Sequence, residues 1–413
     1  MRHLAVRMVA AGHDVTVATS FLPGRTSDQY RGITIRQFSI SGNIVNGMVG
    51  EVDAYRRFVT MGDFDVLFVY AAQQWTFDAL WEVLTDVRMR KVVVPCGYSG
   101  LVVREYDEYF KELPAILRRF DAIVYHSRDY RDYEFGRKHG LEDRAIIIPN
   151  GADEIEFAVP ADPDFRSRMM ISEDALVLLT VGSLNGAKGH LELARAFEQM
   201  DLRGRPAVLL LNGNQMPSQV GIKSLTQRIR KAIRFVTTNS PVRVAKTVAR
   251  ICLSILGIRF GYFDHLERSL KNINRMSDRK AVFCDLPRSD LVQAYKAADL
   301  FVFASNIEYS PLVLYESCAA GLPFISVSVG NATEIAAWTG GGDVIDVKPD
   351  PDGMIRISPA ILASATDKLL SDSTRRKALG KSGHHAWETR FNWGALAKEY
   401  MQLFKAVCAD GRK

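Results

Sequence analysis

Two glutamates separated by seven residues flank the start of a predicted helix within residues 300–321. The segment reads LFVFASNIEYSPLVLYESCAAG, in which an apolar run ends at Ser305 and a polar loop carries Glu308. Pro311 stands where a first helical residue belongs, and Glu316 follows inside the helix. Such a strand–loop–helix corner presents free backbone N–H groups to an anion. Two carboxylates beside it can accept hydrogen bonds from vicinal hydroxyls, so the pattern fits a nucleotide sugar.

The elements that must position this corner alternate along the whole chain. Short apolar, β-branched runs recur between helix-like stretches, and most are continuous, which is typical of strands buried on both faces. Helices between such strands imply right-handed β-α-β units and parallel sheets, whose ligands bind at the carboxyl ends of the strands. Two sets of runs, divided near residues 160–163, therefore predict two Rossmann-like domains. The predicted strands cover residues 14–19, 32–40, 65–71, 91–96, 122–127 and 145–148, then 177–184, 207–212, 281–286, 300–305, 324–329 and 343–347.

Length and composition exclude several classes of protein. The 413 residues are 47% hydrophobic and 24% charged, close to the averages of globular proteins, which speaks against a disordered, collagen-like or disulfide-stapled chain. No apolar run reaches the roughly 18 residues of a membrane-spanning helix, and the first residues do not resemble a signal peptide. The five scattered cysteines without a C-x-x-C pair fit a reducing cytosol and disfavour a structural zinc site. We therefore expect a cytoplasmic protein.

The positive charge is concentrated in one interval. The net charge is +6, but residues 223–280 hold 14 Lys and Arg against 3 Asp and Glu, so they carry +11 and the remainder −5. Apolar residues recur there at helical spacing, and residues 251–258 form a short apolar stretch. This insertion, residues 215–280, predicts peripheral docking on an anionic membrane surface; a solvated subdomain or an oligomer interface are the alternatives. No nucleic-acid-binding motif accompanies the charge.

Several segments, taken together, resemble the retaining glycosyltransferases of family 4, which have the GT-B fold. The segment 300–321 matches the E-x7-E signature of that family. The resemblance recurs, in order, as AGHDVTVAT, FDAIVYHS, IIIPNGADEIEF, VGSLNGAKGHLELARAF, YKAADLFVFAS, GLPFISVSVGNATEI and RFNWGALAKEY. It implies an α/β protein with two Rossmann-like domains whose parallel sheets face each other across a cleft, and a C-terminal helix that returns to the first domain.

The resemblance also implies a role for particular residues. Glu308 would hold donor-sugar hydroxyls, and Lys188 would neutralise the departing diphosphate, where electrostatic stabilisation contributes most. Glu316 would bind the ribose hydroxyls. The remaining donor-binding positions lie in the two loops that approach the diphosphate: Gly182, Ser183, Ser310, Leu312 and Val313. The family uses no catalytic metal or cofactor, and no D-x-D motif lies at a matching strand end.

Two departures from the family pattern stand out. Ser183 occupies a position that is usually basic, which leaves one diphosphate charge to be supplied by a residue such as Arg288. The first strand and glycine-rich loop of the family are also missing before the helix of residues 4–9. A misplaced start, a truncated gene or a strand from a partner could account for this, and the first is favoured. An absent central strand would leave two unpaired edges.

Four further residues are predicted near the acceptor or behind the donor. Cys96 replaces the histidine that many members carry after the fourth strand, and it is interpreted as a small loop residue rather than a nucleophile. His126 ends a strand, where it faces the ligand crevice or forms part of the core. Asn150 and Gly151 form a turn that, in the family, lies at the interdomain hinge near the donor.

The predicted organisation is an acceptor-side domain over residues 1–158, a nucleotide-sugar domain over 174–385 and a C-terminal helix over 386–413. The predicted function is transfer of a sugar, with retention, from a nucleotide diphosphate donor to an acceptor hydroxyl, without a metal. A bacterial polysaccharide, lipopolysaccharide or lipid-linked oligosaccharide is the expected acceptor, by analogy. The alternatives are a catalytically inactive GT-B binding subunit and a sugar-nucleotide epimerase.

Overall fold

The computed structural model describes residues 1–213 and 261–410. The strands are β1 Thr16–Ser20, β2 Gln29–Tyr30, β3 Ile33–Phe38, β4 Ile40–Ser41, β5 Val49–Gly50, β6 Val66–Tyr70, β7 Arg90–Val94, β8 Ala122–Tyr125, β9 Ala145–Ile147, β10 Leu176–Val181, β11 Ala207–Asn212, β12 Arg279–Cys284, β13 Leu300–Phe303, β14 Phe324–Val327 and β15 Gly342–Ile345. All twelve predicted strands are present, so the continuous apolar runs predicted them correctly. The short strands β2, β4 and β5 lie in antiparallel pairs and were not predicted.

Helices connect most of these strands. The α-helices are α1 Arg2–Ala10, α2 Val52–Thr60, α3 Trp75–Asp78, α4 Asp107–Leu117, α5 Arg131–Lys138, α6 Glu154–Phe157, α7 Phe165–Arg168, α8 His190–Gln199, α9 Tyr262–Ile273, α10 Arg288–Ala297, α11 Leu312–Ala319, α12 Ala332–Thr339, α13 Pro359–Ser371, α14 Ser373–Ala386 and α15 Trp393–Asp410. The predicted opening helix is α1, which buries Leu4, Ala5 and Met8. No helix in the described part of the chain is long and apolar enough to cross a membrane.

The chain divides into two compact units. The first contains Met1–Ile155, Tyr309–Ala319 and His385–Lys413, and the second contains Glu156–Glu308 and Ala320–His384. The opening segment of the first unit ends at Ile155, against residue 158 for the predicted acceptor-side domain, and residues 385–413 belong to the first unit. Helix α11 differs from the expectation, because the sequence assigns it to the donor domain. Its packing explains the difference: the Tyr315 ring lies 5.5 Å from Phe391, a first-unit residue.

The first unit contains a parallel four-stranded sheet in the order β6-β7-β8-β9 and a three-stranded sheet in the order β1-β3-β2. Alternate residues of β7 pack into two different clusters: Val93 joins one, and Val92 and Val94 join the other. The second cluster also contains Leu4 of α1 and Leu396 of α15, which fixes the C-terminal helix on this unit. On the described residues, β1 and β6 each pair with a strand on one side only.

The second unit is built on one parallel sheet of six strands in the order β12-β11-β10-β13-β14-β15. Counted along the chain, this is the order 3-2-1-4-5-6 of the dinucleotide-binding Rossmann fold. Every residue of β11, β13 and β14 is buried, as the apolar runs predicted. Helices α9 and α13 both pack against α8. Of the predicted insertion, α9 and the start of β12 are described, whereas residues 215–260, including the apolar stretch 251–258, lie outside the described residues.

Candidate functional site

The strand order of the second unit reverses between β10 and β13. In an open parallel sheet, the loops after the two strands at such a reversal separate to opposite faces and leave a crevice at the carboxyl ends. The loop after β10 contains Lys188, and the loop after β13 contains Glu308. The two principal residues predicted from the sequence therefore belong to the two loops at this point of the sheet.

Lys188 and Glu308 form an ion pair. Lys188 Nζ donates to Glu308 Oε1 over 2.5 Å, and the two side chains are 21% and 18% exposed. Ser305 Oγ lies 3.2 Å from the same Oε1 atom, so the carboxylate is held from two sides. An ammonium and a carboxylate with this much exposure remain accessible to a ligand that carries both phosphates and hydroxyls.

The two loops are tied together through their backbones. The N–H group of Asn306 donates to the carbonyl of Ala187 over 2.8 Å, and Ser305 Oγ lies 3.1 Å from the same carbonyl, which is an alternative acceptor for its proton. Gly189, which precedes α8, has a φ of +68°, and a Cβ atom there would lie 1.8 Å from the Ala304 carbonyl oxygen. Only glycine fits this crossing, because both the backbone conformation and the space exclude a side chain.

Replacing Gly189 with alanine is expected to lower the free energy of unfolding by more than about 2 kcal/mol, because the loop must move away from Ala304. Gly204→Ala is the matched control: its φ is +73°, but nothing lies within 4 Å of the added Cβ, so only the backbone strain applies. Urea denaturation of both variants measures the difference. Equal losses in the two variants would contradict a close crossing at Gly189.

Two glycines allow close packing at the end of β10, and one of them makes room for Lys188. A Cβ on Gly182 would lie 3.0 Å from the Cβ and Cγ atoms of Lys188, and a Cβ on Gly213 would lie 2.6 Å from the Gly182 carbonyl oxygen. Ser183 follows Gly182, and its carbonyl accepts a hydrogen bond from the N–H of Asn185 over 2.9 Å. The predicted donor positions Gly182 and Ser183 are therefore part of the loop that carries Lys188.

Arg288, the residue suggested as a replacement for the missing basic residue, is engaged elsewhere in this unit. Its guanidinium forms an ion pair with Glu156 Oε2 at 2.7 Å and lies 5.8 Å from the centre of the Phe157 ring. It begins α10 after β12, at the edge of the sheet, two strands away from β10. Lys188 is thus the cation that the structure places in the loop after β10.

Two buried polar residues beside these loops were not identified from the sequence. His190 is fully buried, and neither ring nitrogen has a hydrogen-bond partner among the described residues. Burial, with a smaller effect of Lys188, lowers its pKa to about 4, so the ring is neutral at physiological pH. Asn306 Oδ1 is also buried without a partner in the described ranges. A lone histidine after K-G gives no sequence signal that separates it from an ordinary helix residue.

The other part of the E-x7-E segment lies in the first unit. Pro311 precedes α11, and Leu312 and Val313 are its first residues, so their N–H groups lack acceptors within the helix. Glu316 is half-buried and lies one turn further along, on the same face as Leu312. Ser310 Oγ is buried without a hydrogen-bond partner in the part of the chain that is described. These groups form a helix start with donors suited to a diphosphate.

Two of the four predicted supporting residues, Asn150 and His126, contact this loop. Asn150 Nδ2 donates to the Ser310 carbonyl over 3.3 Å, and the backbone N–H of His126 donates to the Tyr309 hydroxyl over 3.0 Å. Gly151 allows a close backbone approach, since a Cβ there would lie 2.2 Å from the Phe391 carbonyl oxygen.

The side chains of His126 and Cys96 are part of the interior of the first unit. His126 Nδ1–H donates to the Ile148 carbonyl over 2.8 Å and Nε2 lies 3.2 Å from the Tyr70 hydroxyl, and burial lowers the pKa of the ring to about 4. Burial raises the pKa of the Cys96 thiol to about 12. A thiol this weakly acidic is not a nucleophile at neutral pH. No group of three His, Cys, Asp or Glu side chains within residues 1–213 and 261–410 is arranged to hold a metal ion.

Comparison with known proteins gives matches to glycosyltransferases. Residues 274–385 match the family model described as "Glycosyl transferases group 1". Over 279 residues the chain is 26% identical to a D-inositol 3-phosphate glycosyltransferase of Kineococcus radiotolerans, a match that covers 65% of this chain. The chain spans about half the length of that relative, 53%.

The fold is similar to that of solved glycosyltransferases. The structure of Anabaena Alr3699/HepE in complex with UDP and glucose aligns with a TM-score of 0.63 and 14% identity, covering 98% of this chain and 95% of that one. WaaG, a glycosyltransferase involved in lipopolysaccharide biosynthesis, aligns with a TM-score of 0.59 and 18% identity, covering 98% and 94%. With its two Rossmann-like units and its group 1 segment, the chain has the GT-B fold and resembles the family 4 glycosyltransferases.

Proposed function

We propose that this protein transfers a sugar, with retention of anomeric configuration, from a nucleoside diphosphate sugar to an acceptor hydroxyl. The observation that carries the proposal is the Lys188–Glu308 pair at the reversal of strand order between β10 and β13. The pair combines a cation, which can offset the charge of a diphosphate, with a carboxylate, which can accept hydrogen bonds from sugar hydroxyls. In the first unit, the backbone N–H groups of Leu312 and Val313 at the start of α11 are proposed to bind a phosphate of the donor.

The chemistry that these residues support is the departure of a diphosphate. The bond between the anomeric carbon and the diphosphate oxygen breaks, and the acceptor oxygen forms its bond on the same face. The acceptor proton passes to the departing phosphate oxygen, so no separate general base is needed. Lys188 stabilises the negative charge that develops on the diphosphate, and Glu308 holds sugar hydroxyls so that the reacting carbon stays aligned. We propose that this stabilisation requires no metal ion.

The donor and acceptor classes follow by analogy. The Anabaena relative in fold binds UDP and glucose, which supports a uridine or related nucleoside diphosphate sugar as donor. WaaG acts in lipopolysaccharide biosynthesis, which supports an envelope polysaccharide or a lipid-linked oligosaccharide as acceptor. A cytoplasmic enzyme that uses its basic insertion, residues 215–280, to dock on an anionic membrane would meet such an acceptor at the surface.

The test of the proposal is the stereochemistry of the released sugar. A panel of nucleotide sugars is screened by thermal shift, and the donor that stabilises the protein is then incubated with it. Without an acceptor, slow hydrolysis of the donor releases the free sugar, and proton NMR identifies the anomer that is released first. We expect its anomeric carbon to have the same configuration as in the donor. Inversion would overturn retention, and a donor epimerised without release of nucleoside diphosphate would establish the epimerase alternative.

Replacing Glu316 with glutamine is expected to weaken nucleoside diphosphate binding about tenfold, because hydrogen bonds from the ribose hydroxyls to a charged acceptor are replaced by weaker ones. Isothermal titration calorimetry with the free nucleoside diphosphate measures the change. Glu388→Gln, in the first unit, is an exposed control. Equal affinities for wild type and Glu316→Gln would remove Glu316 from the site.

A further inference from the structure

Tyr309 is the first residue of the segment Tyr309–Ala319 of the first unit, and it lies in the loop that leads into α11. Hydrogen bonds at its hydroxyl hold the side chain. The hydroxyl accepts the backbone N–H of His126 over 3.0 Å and donates to the Asp132 carboxylate. The ring centre lies 4.9 Å from that of Tyr130 and 5.6 Å from that of His126. Ring packing and hydrogen bonding together fix one orientation for Tyr309.

Asp132 is built into the interior as an acceptor. Its side chain is fully buried, Oδ2 accepts the N–H of Gly97 over 2.9 Å, and Oδ1 accepts the N–H of Tyr133 over 3.0 Å. Burial raises the pKa of this carboxyl to about 6, and the hydrogen bond from the Tyr309 hydroxyl is the largest of the effects that oppose the rise. A buried carboxylate costs stability unless hydrogen bonds satisfy it, and here the Tyr309 hydroxyl is the side-chain donor that does so.

The turn beside Asp132 is shaped to fit the Tyr309 ring. Cys96, Gly97 and Tyr98 have consecutive φ values of 62°, 85° and 50°, an unfavourable conformation for the two non-glycine residues. A Cβ on Gly97 would lie 2.9 Å from Tyr309 Cγ and 3.0 Å from the ring of Tyr130. The turn therefore both directs the Gly97 N–H to Asp132 and leaves space for the tyrosine.

The anchored tyrosine lies immediately before the predicted diphosphate donors. The Ser310 carbonyl is held by Asn150 Nδ2 at 3.3 Å, Pro311 restricts the next φ angle, and α11 begins at Leu312. Three successive residues are thus fixed before the helix starts. Backbone N–H groups bind an oxyanion well only when they are already oriented, because no free energy is then spent on ordering the loop.

We propose that Tyr309, held by Asp132, is a positioning residue that orients the first turn of α11 to receive the donor diphosphate. This inference depends on the proposed function, since it assigns the diphosphate to the N–H groups of Leu312 and Val313. Tyr309 itself touches no phosphate. Its effect passes through the backbone of Ser310 and Pro311, and it depends on the hydroxyl rather than on the ring.

The test is a double-mutant cycle on the affinity for a free nucleoside diphosphate. The probe is the member of a panel of UDP, GDP, ADP and dTDP that binds the wild-type chain most tightly in calorimetry. Tyr309→Phe keeps the ring and removes the hydroxyl, and it is expected to weaken binding about tenfold. Asp132→Asn is expected to have a similar effect. The double variant should bind as weakly as the single variants, within about twofold, because both act through one hydrogen bond.

Tyr55→Phe is the matched control. Tyr55 is a buried tyrosine of the first unit whose hydroxyl donates to the Thr76 carbonyl over 2.7 Å, so its loss costs stability without reaching α11. Its nucleotide affinity is expected to equal that of wild type. An unchanged affinity in Tyr309→Phe, or effects of the two variants that simply add, would overturn the inference while leaving the proposed function in place. If the wild-type chain binds none of the four nucleotides, both fail.

Discussion

Replacing Glu308 with glutamine is expected to lower the rate of sugar transfer by about 100-fold or more while the protein remains folded. The side chain keeps its shape and its contact with Ser305, but it loses the charge that accepts hydrogen bonds from sugar hydroxyls. These contacts strengthen as the diphosphate departs, so the loss falls on kcat more than on KM. Release of nucleoside diphosphate under saturating donor measures the change.

Glu173→Gln is the matched control for this substitution, because Glu173 is an exposed glutamate of the same unit. It should have wild-type activity. Thermal unfolding of both variants separates a catalytic loss from a folding defect. If Glu308→Gln kept near wild-type turnover, the carboxylate could not be a catalytic residue, and the assignment of the E-x7-E segment would fail.

Replacing Lys188 with methionine is expected to reduce turnover by about 100-fold to 1000-fold, since the cation stabilises charge that forms as the diphosphate leaves. Methionine preserves most of the side-chain volume beside Gly182. The lysine stem packs closely there, since a Cβ added to Gly182 would lie 3.0 Å from the Lys188 Cβ and Cγ atoms. The variant also leaves the negative charge of Glu308 without its cation. That unpaired charge repels a phosphate, which adds to the loss. Steady-state kinetics with the donor measures the loss.

Lys271→Met is the control for the loss of an ion-paired lysine. Lys271 pairs with Glu267 at 2.8 Å on the surface of α9, where an exposed pair contributes little. Its turnover should match wild type. The assignment of Lys188 predicts a further result: Lys188→Arg, which keeps the charge, should recover part of the activity. No loss in Lys188→Met would show that the leaving group is stabilised elsewhere.

Local patterns in the sequence predicted the strands and, with them, the positions of the loops that carry Lys188 and Glu308. The apolar runs of β10 and β13 are buried on both faces, so they contain almost no polar residue and are recognisable without any partner. Because both strands lie in a parallel sheet, the loops that carry Lys188 and Glu308 follow their carboxyl ends. The alternation of helices and strands was therefore sufficient to predict the fold class, whereas the assignment of the site to these loops stays a prediction.

The contacts that complete the site depend on residues far apart in the sequence. Nothing near Asp132 indicates that its carboxylate accepts the Tyr309 hydroxyl, because that contact exists only after β7, β8 and α11 have packed. The same holds for Gly189, whose need to be glycine arises from the carbonyl of Ala304 on another strand. His190 is at a position where any apolar residue could continue the helix. The assignment of α11 to the first unit likewise follows from tertiary packing.

The central claim is that the protein breaks the bond between a sugar and a nucleoside diphosphate at the Lys188–Glu308 pair. The most direct test is phosphorus NMR of the purified protein incubated with the nucleotide sugar that stabilises it, with and without acceptor. We expect the nucleoside diphosphate to appear as the phosphorus-containing product, and its appearance to be slowed by about 100-fold or more in both Glu308→Gln and Lys188→Met. Release of a nucleoside monophosphate, or an unchanged donor after prolonged incubation with every nucleotide sugar in the panel, would contradict it.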